Sequence, residues 1–142
     1  MFDVEKLPEF NVLVVEDDKQ VLQIIKQLFS AIEEYKCNLY SVEDGNKGSE
    51  LISKIKPDMI ITDYNLPGKD GCELAKEGKI NNKDCAIICV TGEIDKAMDL
   101  KHNGVSYVMT KPFKANLFIQ IINERLKAVH KAKKKEMSLK AS

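Results

Sequence analysis

Asp58-Met-Ile-Ile-Thr-Asp-Tyr-Asn-Leu-Pro-Gly-Lys-Asp-Gly71 (residues 58–71) holds the decisive pattern of this chain. Its first half, DMIIT, is an apolar run rich in β-branched residues, which reads as a buried strand. Asp63 follows at once. Asn65, Pro67 and Gly68 then supply turn chemistry, and Gly71–Lys79 has weak helical spacing. The segment reads as strand, acidic turn, helix.

Working outward, the same unit recurs. Apolar runs occur at Asn11–Val15, Cys37–Val42, Asp58–Thr62, Cys85–Val90 and Val105–Met109. Their near-continuous apolar character predicts strands buried on both faces. Between them lie helical segments. The clearest is Lys19–Glu33, where Val21, Ile25, Leu28 and Ile32 repeat at three and four, with Asp18 as the N-cap. Ala115–Val129 carries a stripe of Leu117, Phe118, Ile121, Ile122 and Leu126. Gly45–Ile55 and Asp95–Asn103 are weaker helices. Five strand–helix units predict an α/β fold, a parallel sheet in three layers. Ligands then gather where the strands end, at the carboxyl edge.

The chain has 142 residues, 44% hydrophobic and 31% charged, which suits one domain with a real core. No apolar run reaches the length of a membrane span, and MFDVEKLPEF is too acidic and too broken for a secretory signal. A soluble cytoplasmic protein is expected. The 22 basic and 22 acidic residues cancel, which excludes a polyanion binder relying on bulk charge. They are unevenly spread. Residues 125–142 hold seven basic residues and one acid, a charge of +6, so residues 1–124 carry −6. We expect a domain over 1–129 and a basic tail or linker over 130–142, either disordered or a helix extension. The tail's lysines suit a solvated helix end. No DNA-reading module is visible, so no sequence-specific nucleic-acid binding is expected. Cys37, Cys72, Cys85 and Cys89 form no CxxC pair. Neither zinc nor a disulfide framework is expected, and Cys85 and Cys89, evenly spaced, read as buried hydrophobes on one face.

The residues after the strands are Glu16, Asp17 and Asp18, then Asp63, then Thr91-Gly92, then Lys111-Pro112. Asp18 reads as a helix cap. Glu16, Asp17 and Asp63 would stand within a few Å of one another and need neutralising cations. Lys111 is one. A hard metal held by few oxygen ligands, with room for water, is another, which points to Mg2+ rather than Ca2+ or zinc. A carboxylate, a divalent cation, a lysine and the Thr91 hydroxyl make a phosphoryl-transfer site. Asp63 would be the oxygen nucleophile, carrying an aspartyl phosphate. Lys111-Pro112 is a candidate cis peptide that would aim the lysine inward.

VLVVEDD (12–18), IITDYNLPGKDG (60–71), VTG (90–92) and TKPF (110–113), in this order, resemble the receiver domain of two-component response regulators. The likeness spans roughly Phe10 to Val129. It implies a flavodoxin-like (βα)5 sheet of strand order 2-1-3-4-5. It implies that Asp63 accepts phosphate from a histidine kinase or histidine phosphotransfer protein. Asp17 and Asp63 would bind Mg2+ directly, Glu16 through water, and Asn65 through its backbone carbonyl. Thr91 and Lys111 would contact the phosphoryl group. Thr91 would then signal to the face of the fourth helix, fifth strand and fifth helix. A downstream effector protein or an output domain would be the next partner, and a homodimer would use that same face.

The sequence also departs from the family. The usual aromatic three residues before the lysine is replaced by Val108, and Tyr107 stands one earlier. Side chains alternate along a strand, so Tyr107 should face the other way, as a packing residue rather than a switch. Gly92 should leave access to the phosphate open. The third and fourth helices are expected to be abbreviated. Asn65 and Glu93 resemble a pair found in chemotaxis-type receivers that shed phosphate quickly. Three other classes are weighed. The displaced tyrosine favours a receiver that works by protein contact without phosphate. A haloacid-dehalogenase-type phosphatase needs an aspartate two after the nucleophile, where this chain has Asn65. Dinucleotide binding fails because no GxGxxG follows the first strand. The expected role is a signalling switch that catalyses only its own phosphorylation and dephosphorylation.

Overall fold

Strand β1 (Glu9–Val15) alternates its side chains between two cores. Phe10, Val12 and Val14 enter one apolar cluster, while Leu13 and Val15 enter the other. This double burial follows from the strand's period of two and defines the three layers. The computed structural model describes residues 7–141. Met1–Lys6, part of the stretch read as unlike a secretory signal, and Ser142, the last residue of the tail, lie outside the described residues.

The remaining elements in chain order are α1 (Lys19–Phe29), β2 (Lys36–Val42), α2 (Gly45–Ile55), β3 (Met59–Thr62), α3 (Gly71–Asn81), β4 (Ala86–Thr91), α4 (Ala97–His102), β5 (Tyr107–Thr110) and α5 (Ala115–Ala141). The sheet is parallel throughout, in the order β2-β1-β3-β4-β5. The first cluster joins β1, β3 and β4 to Leu22, Ile25 and Phe29 of α1 and to Phe118, Ile122 and Leu126 of α5. The second joins the opposite faces of those strands to Ile52 of α2, Leu74 of α3 and Leu100 of α4. The α/β, flavodoxin-like expectation is therefore met, with order 2-1-3-4-5.

Several expectations need correction. Only β1, β3 and β4 are buried on both faces. β2 and β5 are the sheet edges, and β2 leaves Tyr40 exposed. Helix α1 stops at Phe29 rather than Glu33. The Ser30 hydroxyl bonds back to the Gln27 carbonyl, and i→i+3 backbone bonds at Ala31 and Ile32 tighten the chain into a turn. Ile32 still reaches the core from that turn. Helix α3 is not abbreviated: its 11 residues equal those of α1 and α2, and Asp70 caps it by accepting from the Glu73 amide. The shortening falls on α4 alone, six residues preceded by a 3-10 turn at Ile94–Lys96.

Residues 130–141 continue α5 as helix. Lys133 is not simply solvated. Its ammonium lies 2.8 Å from Asp58 Oδ1 and 4.8 Å from the Phe10 ring centre. His130 packs edge-on to Phe10 and Tyr35. No described helix is long and apolar enough to cross a membrane.

Candidate phosphoryl-transfer site at the carboxyl edge of the sheet

The ends of β1, β3, β4 and β5 bring together the residues singled out in the sequence. Parallel pairing aligns Val15 with Thr62 and Thr91 with Thr110. Glu16, Asp63 and Lys111, each one residue past a strand, thus emerge at one edge beside Thr91. Glu16 is fixed by its own amide donating to Val42 O (3.1 Å) and Asp63 by its amide donating to Val15 O (3.1 Å). Gly71 completes the local frame: a Cβ there would sit 2.6 Å from Asp63 O, so only glycine lets α3 start this close to β3.

Carboxylate oxygens of Glu16, Asp17 and Asp63 lie within 4.8 Å of one another. Lys111 Nζ donates to Glu16 Oε1 and to Asp63 Oδ2, each at 2.7 Å. The second oxygen of Asp63 accepts from the Tyr64 amide at 2.6 Å, and the second oxygen of Glu16 from the Asp18 amide at 3.0 Å. Glu16 is buried, Asp63 half-buried and Asp17 exposed. Burial pushes the Glu16 carboxyl above its usual range, and the bonds from Lys111 and the Asp18 amide only partly offset it. Burial alone would lower Lys111, but its bonds to Asp63 and Glu16 prevail and raise it, so the lysine is firmly cationic. One ammonium against three carboxylates leaves negative charge uncompensated. The donors are all hard oxygens, and one carboxylate is open to water. That donor set fits a divalent cation such as Mg2+.

Thr91 is buried at the end of β4, its hydroxyl accepting from the Glu93 amide at 3.0 Å. A Cβ at Gly92 would meet nothing within 4 Å, so the space beside Thr91 is open. The side-chain amide of Asn65 donates to Glu93, joining the two loops. Tyr107 packs against the α1/α5 cluster and Val108 against the opposite one. The Lys111-Pro112 bond is cis. All four cysteines are free, and burial raises the Cys85 and Cys89 thiols, which share the second core.

Sequence reasoning missed the network behind this site. Lys69 Nζ bonds Ser49 Oγ and Glu77 Oε1, each at 2.9 Å, and Ser49 Oγ donates to Glu77 Oε1 at 2.6 Å. No spacing rule links a loop lysine to two different helices.

Known proteins share this fold. The sequence model of the response regulator receiver domain matches residues 12–123. The fold is similar to the signal receiver domain of a protein described as a Luxo repressor from Vibrio parahaemolyticus: 27% identity, 90% of this chain, 98% of that chain, TM-score 0.79. It is also similar in fold to the CheY-like receiver protein of Methanospirillum hungatei JF-1, at 22% identity, 89% and 99% coverage and TM-score 0.75. The chemotaxis response regulator CheY4 of Vibrio cholerae gives 22% identity, 84% and 99% coverage and TM-score 0.72. With its five-stranded parallel sheet, its acidic edge and a family match over most of its length, the chain belongs to the response regulator receiver domain family.

Proposed function

We propose that Asp63 accepts a phosphoryl group from a phosphohistidine on a kinase or phosphotransfer protein, in a Mg2+-dependent reaction that switches a signalling pathway. The observation that carries this reading is Lys111 bridging Glu16 and Asp63 within a three-carboxylate cluster at the strand ends. Asp17 and Asp63 would hold Mg2+ directly, the Asn65 carbonyl would add a ligand, and Glu16 would act through water. When bound, the cation supplies charge neutralisation at the phosphoryl oxygens. An Asp63 carboxylate oxygen forms the bond to phosphorus as the bond from phosphorus to the imidazole nitrogen breaks; the donor ring, protonated on its other nitrogen, leaves as neutral histidine, and an aspartyl phosphate remains. Lys111 screens the negative charge that gathers on the transferred group, and the Thr91 hydroxyl donates to one of its oxygens. The protein is a signalling module rather than a metabolic enzyme, and its only catalysis is on its own phosphate.

In this reading residues 1–129 form the receiver and 130–142 a basic tail leading to an effector protein or output domain. The work is done in the cytoplasm. Thr91 and Val108 would carry the response to the face of α4, β5 and α5, where a second copy could dock.

Incubation with acetyl phosphate and Mg2+, followed by intact-mass measurement, tests the proposal. We expect one phosphoryl group, absent in Asp63→Asn and without Mg2+. A folded wild-type protein that gains no mass and ignores beryllofluoride would sink it. The placement of Tyr107 on the α1/α5 face supports a second reading, a phosphate-independent docking module, which that negative result would favour.

A further inference from the structure

The loop from Tyr64 to Asp70 joins β3 to α3 and has no buried residue; Asn65, Pro67 and Gly68 face solvent. Apolar burial therefore does little to fix it, Leu66 and Tyr64 lying only at the rim of the second core. Backbone contacts bracket it instead. Gly71 N donates to Tyr64 O at 2.9 Å, and Gly45 N, at the start of α2, donates to Pro67 O at 2.8 Å. The approach to α2 is so close that a Cβ on Gly45 would lie 1.8 Å from Lys69 O. One side chain of the loop then ties both helices together. The Lys69 ammonium bonds Ser49 of α2 and Glu77 of α3, and the two acceptors bond each other. The second carboxylate oxygen of Glu77 is buried without a hydrogen-bond partner. Glu77 thus relies on Lys69 and Ser49 to compensate its charge.

We propose that Lys69, Ser49 and Glu77 are positioning residues for the divalent-cation site: they hold in place the 64–70 loop that carries Asn65, whose backbone carbonyl is taken as a ligand. The inference rests on the proposed function in taking Asn65 as a ligand. The three residues touch neither cation nor phosphate. They act by restricting the loop before the cation arrives, so the ordering cost is met in the fold and not at binding.

Calorimetric titration of the full chain with Mg2+ tests this without phosphorylation. Lys69→Met should raise the Mg2+ dissociation constant about tenfold. Glu77→Gln should raise it less, Ser49→Ala least, and Lys69→Arg should recover most of the loss. Amides of the loop should exchange faster with solvent in Mg2+-free Lys69→Met than in wild type. In acetyl phosphate assays, half-saturating Mg2+ should shift far more than the plateau. Dissociation constants within twofold of wild type in folded Lys69→Met and Ser49→Ala would overturn the proposal, as would a wild type that binds no Mg2+. Wild type that binds Mg2+ but takes no phosphate would overturn only the phosphoryl-acceptor reading.

Discussion

Two lysines meet aspartates at opposite ends of the same strand. Above β3, Lys111 bridges Asp63 and Glu16, with Asp17 beside them. Below β3, Lys133 pairs with Asp58, which also accepts from the Asn11 amide at 2.9 Å, and the lysine ammonium lies over the Phe10 ring. The local chemistry is alike but the charge balance is not. The lower pair matches one cation to one anion and is finished by ring packing, so nothing further is needed there. The upper site has more carboxylates than its lysine can neutralise and keeps one of them in water. Excess charge left open to solvent marks a site that awaits a ligand; balanced charge packed against rings marks a fastening.

The largest effect separating the two ends should come from removing each lysine in turn. Lys111→Ala should slow phosphorylation by acetyl phosphate about a hundredfold or more, since a preorganised donor to the transferred group is lost. Lys133→Ala should leave that rate within twofold. Equal losses in both variants would erase the difference between the two ends of β3. Next, Mg2+ at a hundred times its dissociation constant should stabilise the wild type by about 2.7 kcal/mol, read as a rise in thermal midpoint. Asp17→Asn should lose most of that rise, and Asp58→Asn none of it. A rise that survives Asp17→Asn would place the cation elsewhere.

These contrasts also separate what the sequence could tell from what it could not. Strands and helices were legible because burial on two faces and on one stripe leaves different periods, as in MIIT and in the Val21–Leu28 part of the first helix. The upper site was legible because a parallel sheet must bring Asp17, Asp63, Thr91 and Lys111 to one edge. The edge exposure of β2 was not, since Leu39 and Val42 look as apolar in the sequence as the residues of a central strand. Nor were Lys69–Glu77 or Lys133–Asp58 legible. Each joins elements whose contact depends on helix tilt and loop path, and a lysine leaves no spacing signature for such a partner.

Smaller effects belong to the lower end. Lys133→Ala should destabilise the protein by about 1 kcal/mol, through the lost ion pair and ring contact, measured by urea unfolding. No change in the unfolding midpoint would show that the contact contributes nothing. His130 gives the smallest shift. Burial, helped by Lys134 and Lys133, holds its imidazole below the ordinary histidine value. The folded state therefore binds the proton less well than the unfolded one. Its contribution is intact above the usual histidine range and is lost as pH falls through that range toward the folded value. Proton NMR should give a His130 midpoint below 6.5, the ordinary value. A midpoint above it would mean that the Phe10–Tyr35 packing does not exclude the charged ring.

The 27-residue span of α5 has a mechanical consequence. At 1.5 Å per residue the helix is about 40 Å long, and about 12 Å of it extends past Lys133 to Ala141. Asp58 and Phe10 act as a fulcrum for that overhang. A tilt of about ten degrees there would swing the tip by about 2 Å. The basic end of the chain is thus a pointer whose bearing is set by the bottom of β3, the strand whose top carries Asp63.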